Sequence, residues 1–116
     1  MLLFVYGTLM KDLPNHYLLE TSTYLGKCKT VDKYVLSIDS GIPYLSDKKK
    51  IYHIEGELYD VSDDILNEID SLEGEGEWYV RKPIKLYNDN IICVAQAYHN
   101  DDNGIEMSTG NFKNNL

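Results

Sequence analysis

Long hydrophobic segments are missing from this chain of 116 residues, whose first apolar run ends at Val5. Such a run is far too short for the core of a signal peptide, and no other stretch approaches the roughly 20 apolar residues that a membrane-spanning helix requires. We therefore expect a protein without a secretion signal or a membrane span.

Cysteine is equally scarce, since Cys28 and Cys93 are the only two in the chain. Each lies in a strand-like segment, and the pair lacks the CxxC spacing of redox and zinc sites. Two isolated thiols of this kind are typical of buried, reduced cysteines in a cytoplasmic protein. A disulfide between them is the alternative that the sequence leaves open.

Basic residues are few, because 11 lysines and arginines stand against 19 aspartates and glutamates, for a formal charge of −8 and an isoelectric point near 4.7. This charge should repel both nucleic acid and anionic membranes. We therefore expect neither of them as a partner, and we interpret the basic run Lys48-Lys49-Lys50 as a solvated loop.

The motifs of the common enzyme classes are also absent. The histidines His16, His53 and His99 lack the HExxH spacing of zinc enzymes, and no Cys–His nucleophilic pair is visible. No GxSxG elbow, P-loop or dinucleotide fingerprint occurs either. The sequence therefore predicts no metal, no cofactor and no catalytic triad.

The chain contains enough apolar residues for one hydrophobic core, since 43% of its residues are hydrophobic and ten are tyrosines. The predicted strands are roughly 2–5, 23–28, 34–38, 52–61, 79–87 and 91–99, the last two joined by a hairpin at Asn88-Asp89-Asn90. A short helical turn is predicted near Asp12-Leu13-Pro14. This order indicates an α+β domain whose mostly antiparallel or mixed sheet curls toward a barrel. We assign it residues 1–100, followed by a polar and partly disordered tail, residues 101–116.

A helix predicted from Ser62 to Leu72 directs attention to Glu73, the residue that follows it. The apolar stripe of this helix is formed by Ile65, Leu66, Ile69 and Leu72. Glu73 continues the stripe, so its carboxyl group should face inward, where burial and the negative end of the helix dipole both raise a carboxyl pKa. Such a group can accept and return a proton near neutral pH, as a general acid/base must. The alternative is that Glu73 is the solvated, frayed end of the helix.

The segment Val5-Tyr6-Gly7-Thr8-Leu9 is a second candidate element. An apolar strand breaks here at a glycine, so the bend can present backbone N–H groups to a ligand with no Cβ in the way.

Charged residues near the predicted helix have simpler interpretations. Arg81, the only arginine, could either clamp a carboxylate ligand or form an ordinary ion pair, and the many acidic residues favour the ion pair. Glu75 and Glu77 are interpreted as a charged loop.

Several short motifs occur in this chain in the order and at the spacing found in one known family. Residues 5–9 read VYGTL, residues 13–16 LPNH, residues 41–45 GIPYL and residues 55–61 EGELYDV, and Leu72-Glu73-Gly74 is followed by Tyr79-Val80-Arg81. Together they resemble the γ-glutamylcyclotransferase superfamily, and most of all its AIG2-like γ-glutamylamine cyclotransferases, over about residues 2–100. The resemblance departs at residues 108–112, which match only faintly the Gly-Asp-Trp that closes many relatives.

The resemblance implies a small mixed, mostly antiparallel β-barrel with flanking helices, and a reaction that releases 5-oxoproline from a γ-glutamyl compound. In this reaction the α-amine of the substrate attacks its own γ-carbonyl, so the enzyme needs proton transfer, orientation and oxyanion stabilisation but no nucleophile. Glu73 would be the catalytic residue. The implied substrate-binding residues are Tyr6, Gly7, Thr8, Leu9 and Tyr79, although Tyr79 packing in the core is the alternative for that residue. His16 would brace a loop.

Three functions are compatible with these residues. The first is a γ-glutamylamine cyclotransferase that releases a free amine such as lysine. The second is a cyclotransferase that acts on γ-glutamyl amino acids or another γ-glutamyl donor, and the third is a non-catalytic small-molecule-binding module of the same fold. In each case we expect a small-molecule γ-glutamyl partner, no cofactor, and a monomer or weak homodimer in the cytoplasm.

Overall fold

A closed five-stranded barrel forms the centre of the fold. The computed structural model describes residues 1–76, 78–101 and 104–115. The strands are, in chain order, β1 (Leu2–Val5), β2 (Thr23–Thr30), β3 (Val35–Asp39), β4 (Ile42–Ser46), β5 (Glu55–Asp60), β6 (Val80–Asn88), β7 (Ile91–His99) and β8 (Ile105–Glu106). The barrel has the order β1-β5-β2-β6-β7, and it closes where β1 runs parallel to β7 while the other neighbours are antiparallel. The predicted fold class, a small mixed and mostly antiparallel barrel, is confirmed.

The helix α1 (Asp63–Glu73) lies within one residue, at each end, of the helix predicted from Ser62 to Leu72. The hydroxyl oxygen of Ser62 accepts a hydrogen bond from the N–H of Ile65 at 3.3 Å, and Gly74 ends the helix in the left-handed conformation with φ of 61°. Leu66 and Ile69 are buried in the hydrophobic core, but Leu72 is 48% exposed. The inclusion of Leu72 in the buried stripe was therefore wrong, because the helix reaches the edge of the core one turn after Ile69.

Two short 3₁₀ helices, His16–Leu19 and Lys113–Asn115, complete the helical elements of the described residues. The first begins after the turn predicted near Asp12, because Asp12 has φ of 69°, which no right-handed helix accommodates. No helix in the described ranges is both long and apolar enough to cross a membrane.

A second sheet, of order β4-β3-β8, lies beside the barrel and contains two strands that sequence analysis missed. β4 pairs with β3 across the turn at Ser40 and Gly41, which have φ of 53° and 79°. The short apolar segment of β4 contains a proline. Proline in a sequence argues against a strand, but an edge strand such as β4 tolerates it. β8 was missed because it has only two residues.

The described part of residues 101–116 packs against the barrel. Met107 and Phe112 are buried, and the carbonyl oxygen of Gly110 accepts a hydrogen bond from the N–H of Glu55 at 2.9 Å. Buried apolar side chains, the pairing of β8 with β3 and backbone hydrogen bonds therefore join this segment to the rest of the fold. Within the predicted tail, Asp102, Asn103 and Leu116 lie outside the described residues, as does Glu77 of the predicted acidic loop.

Candidate active site

A cavity of about 200 Å³ opens between the end of β1, the last turn of α1 and the start of β4. The structure places every residue that the sequence predicted for the site in its lining, namely Tyr6, Gly7, Thr8, Leu9, Glu73 and Tyr79. These residues come from two distant parts of the chain, residues 6–9 and 73–79, and the closure of the barrel brings them together.

The bend after β1 lines this cavity and contains backbone N–H groups that other described residues do not use. Among the hydrogen bonds between described residues, none has the N–H of Gly7, Thr8 or Leu9 as its donor. The carbonyl oxygen of Gly7 accepts from the N–H of Met10 at 3.0 Å and so closes the turn. A Cβ atom at position 7 would lie 2.5 Å from Cγ of Pro43, so only glycine lets the bend pack on β4.

Two residues that follow the bend hold it in place. The amide of Asn15 donates from Nδ2 to the hydroxyl oxygen of Thr8 at 2.9 Å, and Nδ1 of His16 lies 2.9 Å from the carbonyl oxygen of Leu9. Because the Thr8 hydroxyl accepts from Asn15, its own proton is available to a ligand in the cavity. Asn15 also lines the cavity, and it was not among the predicted site residues although it stands in the LPNH motif.

Glu73 places a carboxyl group in the cavity that makes no hydrogen bond to any described residue. Burial raises its pKa from an ordinary value of 4.5 to about 7. Since α1 includes Glu73 and Gly74 caps the helix behind it, the alternative of a frayed, solvated helix end does not hold. At neutral pH this carboxyl group is divided between its two protonation states, so it can both accept and return a proton.

Three tyrosines around Glu73 direct their hydroxyl groups elsewhere. Tyr6 donates to the carbonyl oxygen of Tyr98 at 2.5 Å, Tyr79 donates to a backbone carbonyl of β4 at 2.6 Å, and Tyr98 donates to Oδ1 of Asp70 at 2.5 Å. Burial is the main cause that raises the pKa of each phenol, and the nearby Glu73 raises it further. The phenols therefore stay neutral, which makes Glu73 the group in the described lining that is suited to proton exchange. Tyr98 was missed because tyrosine at a strand end has no distinguishing signal.

The mouth of the cavity is apolar. Ile42, Leu72 and Trp78 line it and are 44%, 48% and 53% exposed, whereas the tyrosines of its floor are buried. No lysine or arginine of the described chain lines the cavity. The exposed side chains of the described lining are therefore apolar, and no described side chain that lines the cavity carries a positive charge.

Arg81 forms the ion pair that the sequence favoured. Its Nε and Nη2 atoms donate to the two carboxylate oxygens of Asp70 at 2.9 and 3.2 Å, and both side chains are about one-fifth exposed. Arg81 does not line the cavity, so it is not a clamp for a ligand there.

The effect of burial on Glu73 predicts a pH-dependent change of stability. The folded protein binds the Glu73 proton more tightly than the unfolded chain, so the associated stability is fully present below pH 4.5 and is lost as pH rises through about 7. Glu73→Gln, which does not ionise, should therefore raise the free energy of unfolding by about 2 kcal/mol at pH 9, allowing for partial solvation. Urea unfolding at pH 4 and pH 9 measures this difference.

The matched control is Glu68→Gln, which changes an exposed residue on the polar face of the same helix. The difference in the free energy of unfolding between Glu68→Gln and the wild-type protein should be the same at pH 4 and pH 9. A Glu73→Gln effect of the same size at both pH values would contradict a raised pKa at this residue.

Taken together, the backbone donors of the bend and one partly buried carboxyl group define a small α+β barrel protein with an acid/base cavity. Within the described ranges, no group of three or more His, Cys, Asp or Glu side chains is arranged to hold a metal ion.

Comparisons with known proteins identify the family. A family model described as gamma-glutamyl cyclotransferase, AIG2-like, matches residues 3–114. A protein of Methanocaldococcus jannaschii that carries the provisional name gamma-glutamylcyclotransferase is 37% identical over 113 residues, which cover 95% of this chain and 93% of that protein. The gamma-glutamylaminecyclotransferase of Rattus norvegicus is 34% identical over 92 residues, which cover 72% of this chain and 62% of the rat protein. The crystal structure of an AIG2-like protein from Mus musculus superposes with a TM-score of 0.75 at 25% identity, over 86% of this chain and 76% of the mouse chain.

The chain therefore belongs to the gamma-glutamyl cyclotransferase family of enzymes, in its AIG2-like branch. The resemblance that the short motifs indicated is confirmed. The chain spans less than two thirds of the length of the rat relative, so the substrate and activity of that relative are not transferred by similarity alone.

Proposed function

We propose that this protein is a γ-glutamylamine cyclotransferase, which releases 5-oxoproline and a free amine from γ-glutamylamines. The observation that carries the proposal is the carboxyl group of Glu73, which has a pKa of about 7 and no hydrogen-bond partner among the described residues, in the same cavity as N–H groups of the bend that the described residues leave unused. Membership of the family supports γ-glutamyl chemistry, and the name of the rat relative supports an amine as the leaving group.

The substrate supplies the nucleophile. The described lining of the cavity contains no serine, cysteine or lysine, which agrees with a reaction that needs no enzyme nucleophile. The α-nitrogen of the γ-glutamyl group attacks the γ-carbonyl carbon and forms the five-membered ring of 5-oxoproline, while the bond from that carbon to the leaving nitrogen breaks. Holding the two groups of one molecule in this geometry removes most of the entropic cost of the attack.

Glu73 carries the protons of this reaction. Two protons leave the α-ammonium group as it becomes the ring N–H, and two arrive at the leaving nitrogen as it becomes an ammonium group. Ionised Glu73 accepts the first proton, which makes the α-amine nucleophilic, and returns it to the leaving nitrogen; it then transfers the second in the same way. A carboxyl group with a pKa of about 7 is suited to both steps at neutral pH, and it ends the cycle ionised, as it began.

The bend stabilises the negative charge that develops on the γ-carbonyl oxygen. The N–H groups of Gly7, Thr8 and Leu9 are not used by other described residues, and the Thr8 hydroxyl is oriented by Asn15. Preorganised donors of this kind lower the energy of an oxyanion without rearrangement during the reaction. They also hold the α-carboxylate of the γ-glutamyl group, for which the described lining offers no basic side chain.

The apolar mouth favours an amine over an α-amino acid as the leaving group. In a γ-glutamyl amino acid, a carboxylate lies one carbon from the leaving nitrogen, where it would face Ile42, Leu72 and Trp78 without a cation to pair with. In a γ-glutamylamine such as ε-(γ-glutamyl)lysine, methylene groups occupy this position and the carboxylate lies beyond the mouth.

A substrate panel tests the proposed function. Purified protein is incubated with γ-glutamylbutylamide, ε-(γ-glutamyl)lysine, γ-glutamylalanine and glutathione, and 5-oxoproline is measured by mass spectrometry. We expect release from the first two compounds at the highest kcat/KM. Preference for γ-glutamylalanine would establish a cyclotransferase of the other leaving-group class. Binding without release from any compound would indicate a non-catalytic module of the same fold.

A cation at the mouth should shift this preference. Leu72 is half-exposed on α1, where lysine is a good helix former, so Leu72→Lys should preserve the fold. Pairing of the new ammonium group with the substrate carboxylate should raise kcat/KM for γ-glutamylalanine about fivefold relative to γ-glutamylbutylamide.

Asn67→Lys is the matched control for this variant, since it adds the same charge to an exposed position of the same helix outside the cavity. Asn67→Lys should leave unchanged the ratio of kcat/KM for γ-glutamylalanine to kcat/KM for γ-glutamylbutylamide. An equal ratio in wild type and Leu72→Lys would show that the leaving group does not pass the mouth at Leu72.

A cytoplasmic location is also proposed. Both Cys28 and Cys93 are free thiols in the structure, and burial raises the pKa of the Cys28 thiol to about 12. Unpaired cysteines are typical of a reducing compartment.

A further inference from the structure

Asp70 joins three elements of the fold beside the cavity. It lies on α1, one turn before Glu73, and its two carboxylate oxygens accept from Nε and Nη2 of Arg81 at 2.9 and 3.2 Å. Its Oδ1 atom also accepts from the hydroxyl group of Tyr98 at 2.5 Å. Arg81 lies on β6 and Tyr98 on β7, so this carboxylate attaches the last turn of the helix to two adjacent strands of the barrel.

A further hydrogen bond links Tyr98 to the bend after β1, which also lines the cavity. The backbone carbonyl of Tyr98 accepts from the hydroxyl group of Tyr6 at 2.5 Å, and Tyr6 directly precedes Gly7. A continuous series of hydrogen bonds therefore runs from Arg81 through Asp70 and Tyr98 to Tyr6. It connects the end of α1, where Glu73 lies, with the segment that presents the backbone donors.

We propose that Asp70 is a positioning residue of this site, which holds Glu73 at a fixed place relative to the bend through Arg81 and Tyr98. Residues three apart lie on one face of a helix, so a shift of Asp70 moves Glu73 with it. Asp70 does not line the cavity and therefore acts through Glu73 and not on the substrate. The proposal rests on the proposed function, since the positioning serves the proton transfers assigned to Glu73.

Position and charge must be separated in any test, because several charged or titratable groups surround Glu73. Tyr6 comes from the bend, Tyr79 from the segment before β6, Tyr98 from β7 and Arg81 from β6, while Asp70 and Glu75 flank Glu73 in the chain. Asp70→Asn alters both the charge and the geometry. Arg81→Lys keeps both charges but loses the planar fork that grips two oxygens at once.

The experiment compares Asp70→Asn, Arg81→Lys and Tyr98→Phe with the wild-type protein. The first two should lower kcat for γ-glutamylbutylamide roughly 10- to 100-fold with KM changed less than about threefold, since misplacement of a catalytic group affects the chemical step more than binding. Tyr98→Phe, which removes one hydroxyl group and keeps the ring, should show a smaller loss in the same direction. A released helix end admits water, so the pKa of Glu73 should fall from about 7 toward 4.5, as measured by NMR titration of its labelled carboxyl carbon.

Glu106→Gln is the control, because Glu106 forms an ion pair with Lys49 at 2.6 Å outside the cavity lining. It should change neither kcat nor the titration of Glu73. If Asp70→Asn and Arg81→Lys lower only the melting temperature and leave kcat and the Glu73 titration as in the wild type, Asp70 has a purely structural role and the proposal is wrong. The NMR titration of Glu73 can be carried out without turnover of a substrate. If the wild-type protein released no 5-oxoproline, the proposed function would be refuted, whereas the titration would still show whether Asp70 positions Glu73.

Discussion

Glu73→Gln should reduce kcat/KM for 5-oxoproline release by about a thousandfold, the middle of the range for loss of a general acid/base. Glutamine keeps the size and shape of the side chain, but it neither accepts the proton of the α-ammonium group nor donates one to the leaving amine. The described cavity lining offers no second group of suitable pKa, because its tyrosines stay neutral and direct their hydroxyl groups elsewhere. Mass spectrometry of 5-oxoproline over a range of substrate concentrations measures the loss.

The pH profile adds a signature to this prediction. Glu73 must be ionised in the free enzyme, so kcat/KM of the wild-type protein should rise with pH and reach half its plateau near pH 7. The rise of kcat/KM with pH should be absent from the residual activity of Glu73→Gln. Glu68→Gln, the exposed control on the same helix, should retain both the rate and the profile. Full activity in folded Glu73→Gln would remove Glu73 from the reaction and favour another proton carrier.

Phe112→Ala should lower the free energy of unfolding by about 3–4 kcal/mol. Phe112 is 2% exposed, and its removal leaves a cavity that the surrounding barrel fills only in part. A small domain has a total stability of about 5–15 kcal/mol, so this one substitution removes a large share of it. Urea unfolding followed by circular dichroism gives the value.

Two controls show whether the effect comes from burial. Phe112→Leu keeps an apolar side chain and should cost less than half as much as alanine, whereas Ile105→Ala, in the same segment but 78% exposed, should change stability by less than about 0.5 kcal/mol. Equal small effects of Phe112→Ala and Ile105→Ala would mean that residues 104–115 contribute little to the core.

The helix and the bend were predictable because their signals are local. Ser62 and Gly74 mark the ends of α1, and the three- and four-residue spacing of Leu66, Ile69 and Glu73 indicates which side faces the barrel. Gly7 likewise marks the end of the first strand in the sequence, although the reason for glycine there, the close approach of Pro43, is visible only in the folded chain. Most barrel strands were found for the same reason, since their apolar alternation lies within a few residues.

The missed features depend on contacts between distant segments. Tyr98 and Asp70, for example, meet across 28 positions of the chain. No local pattern records such pairs. The packing of Phe112 and the pairing of β8 with β3 likewise depend on where the barrel leaves a free edge or an apolar surface.

The sequence by itself determined the chemical groups of the site and the family, because the motifs around Gly7 and Glu73 are short and specific. Only the tertiary structure decided which groups are unpaired and how polar their surroundings are. Glu73 has a raised pKa because barrel closure buries it without a hydrogen-bond partner among the described residues, while Arg81 is held by Asp70 outside the cavity. The apolar mouth arises in the same way, since Ile42, Leu72 and Trp78 meet only when β4, α1 and the turn after α1 come together. Burial and partner choice are properties of the whole packed chain, so no single segment encodes them.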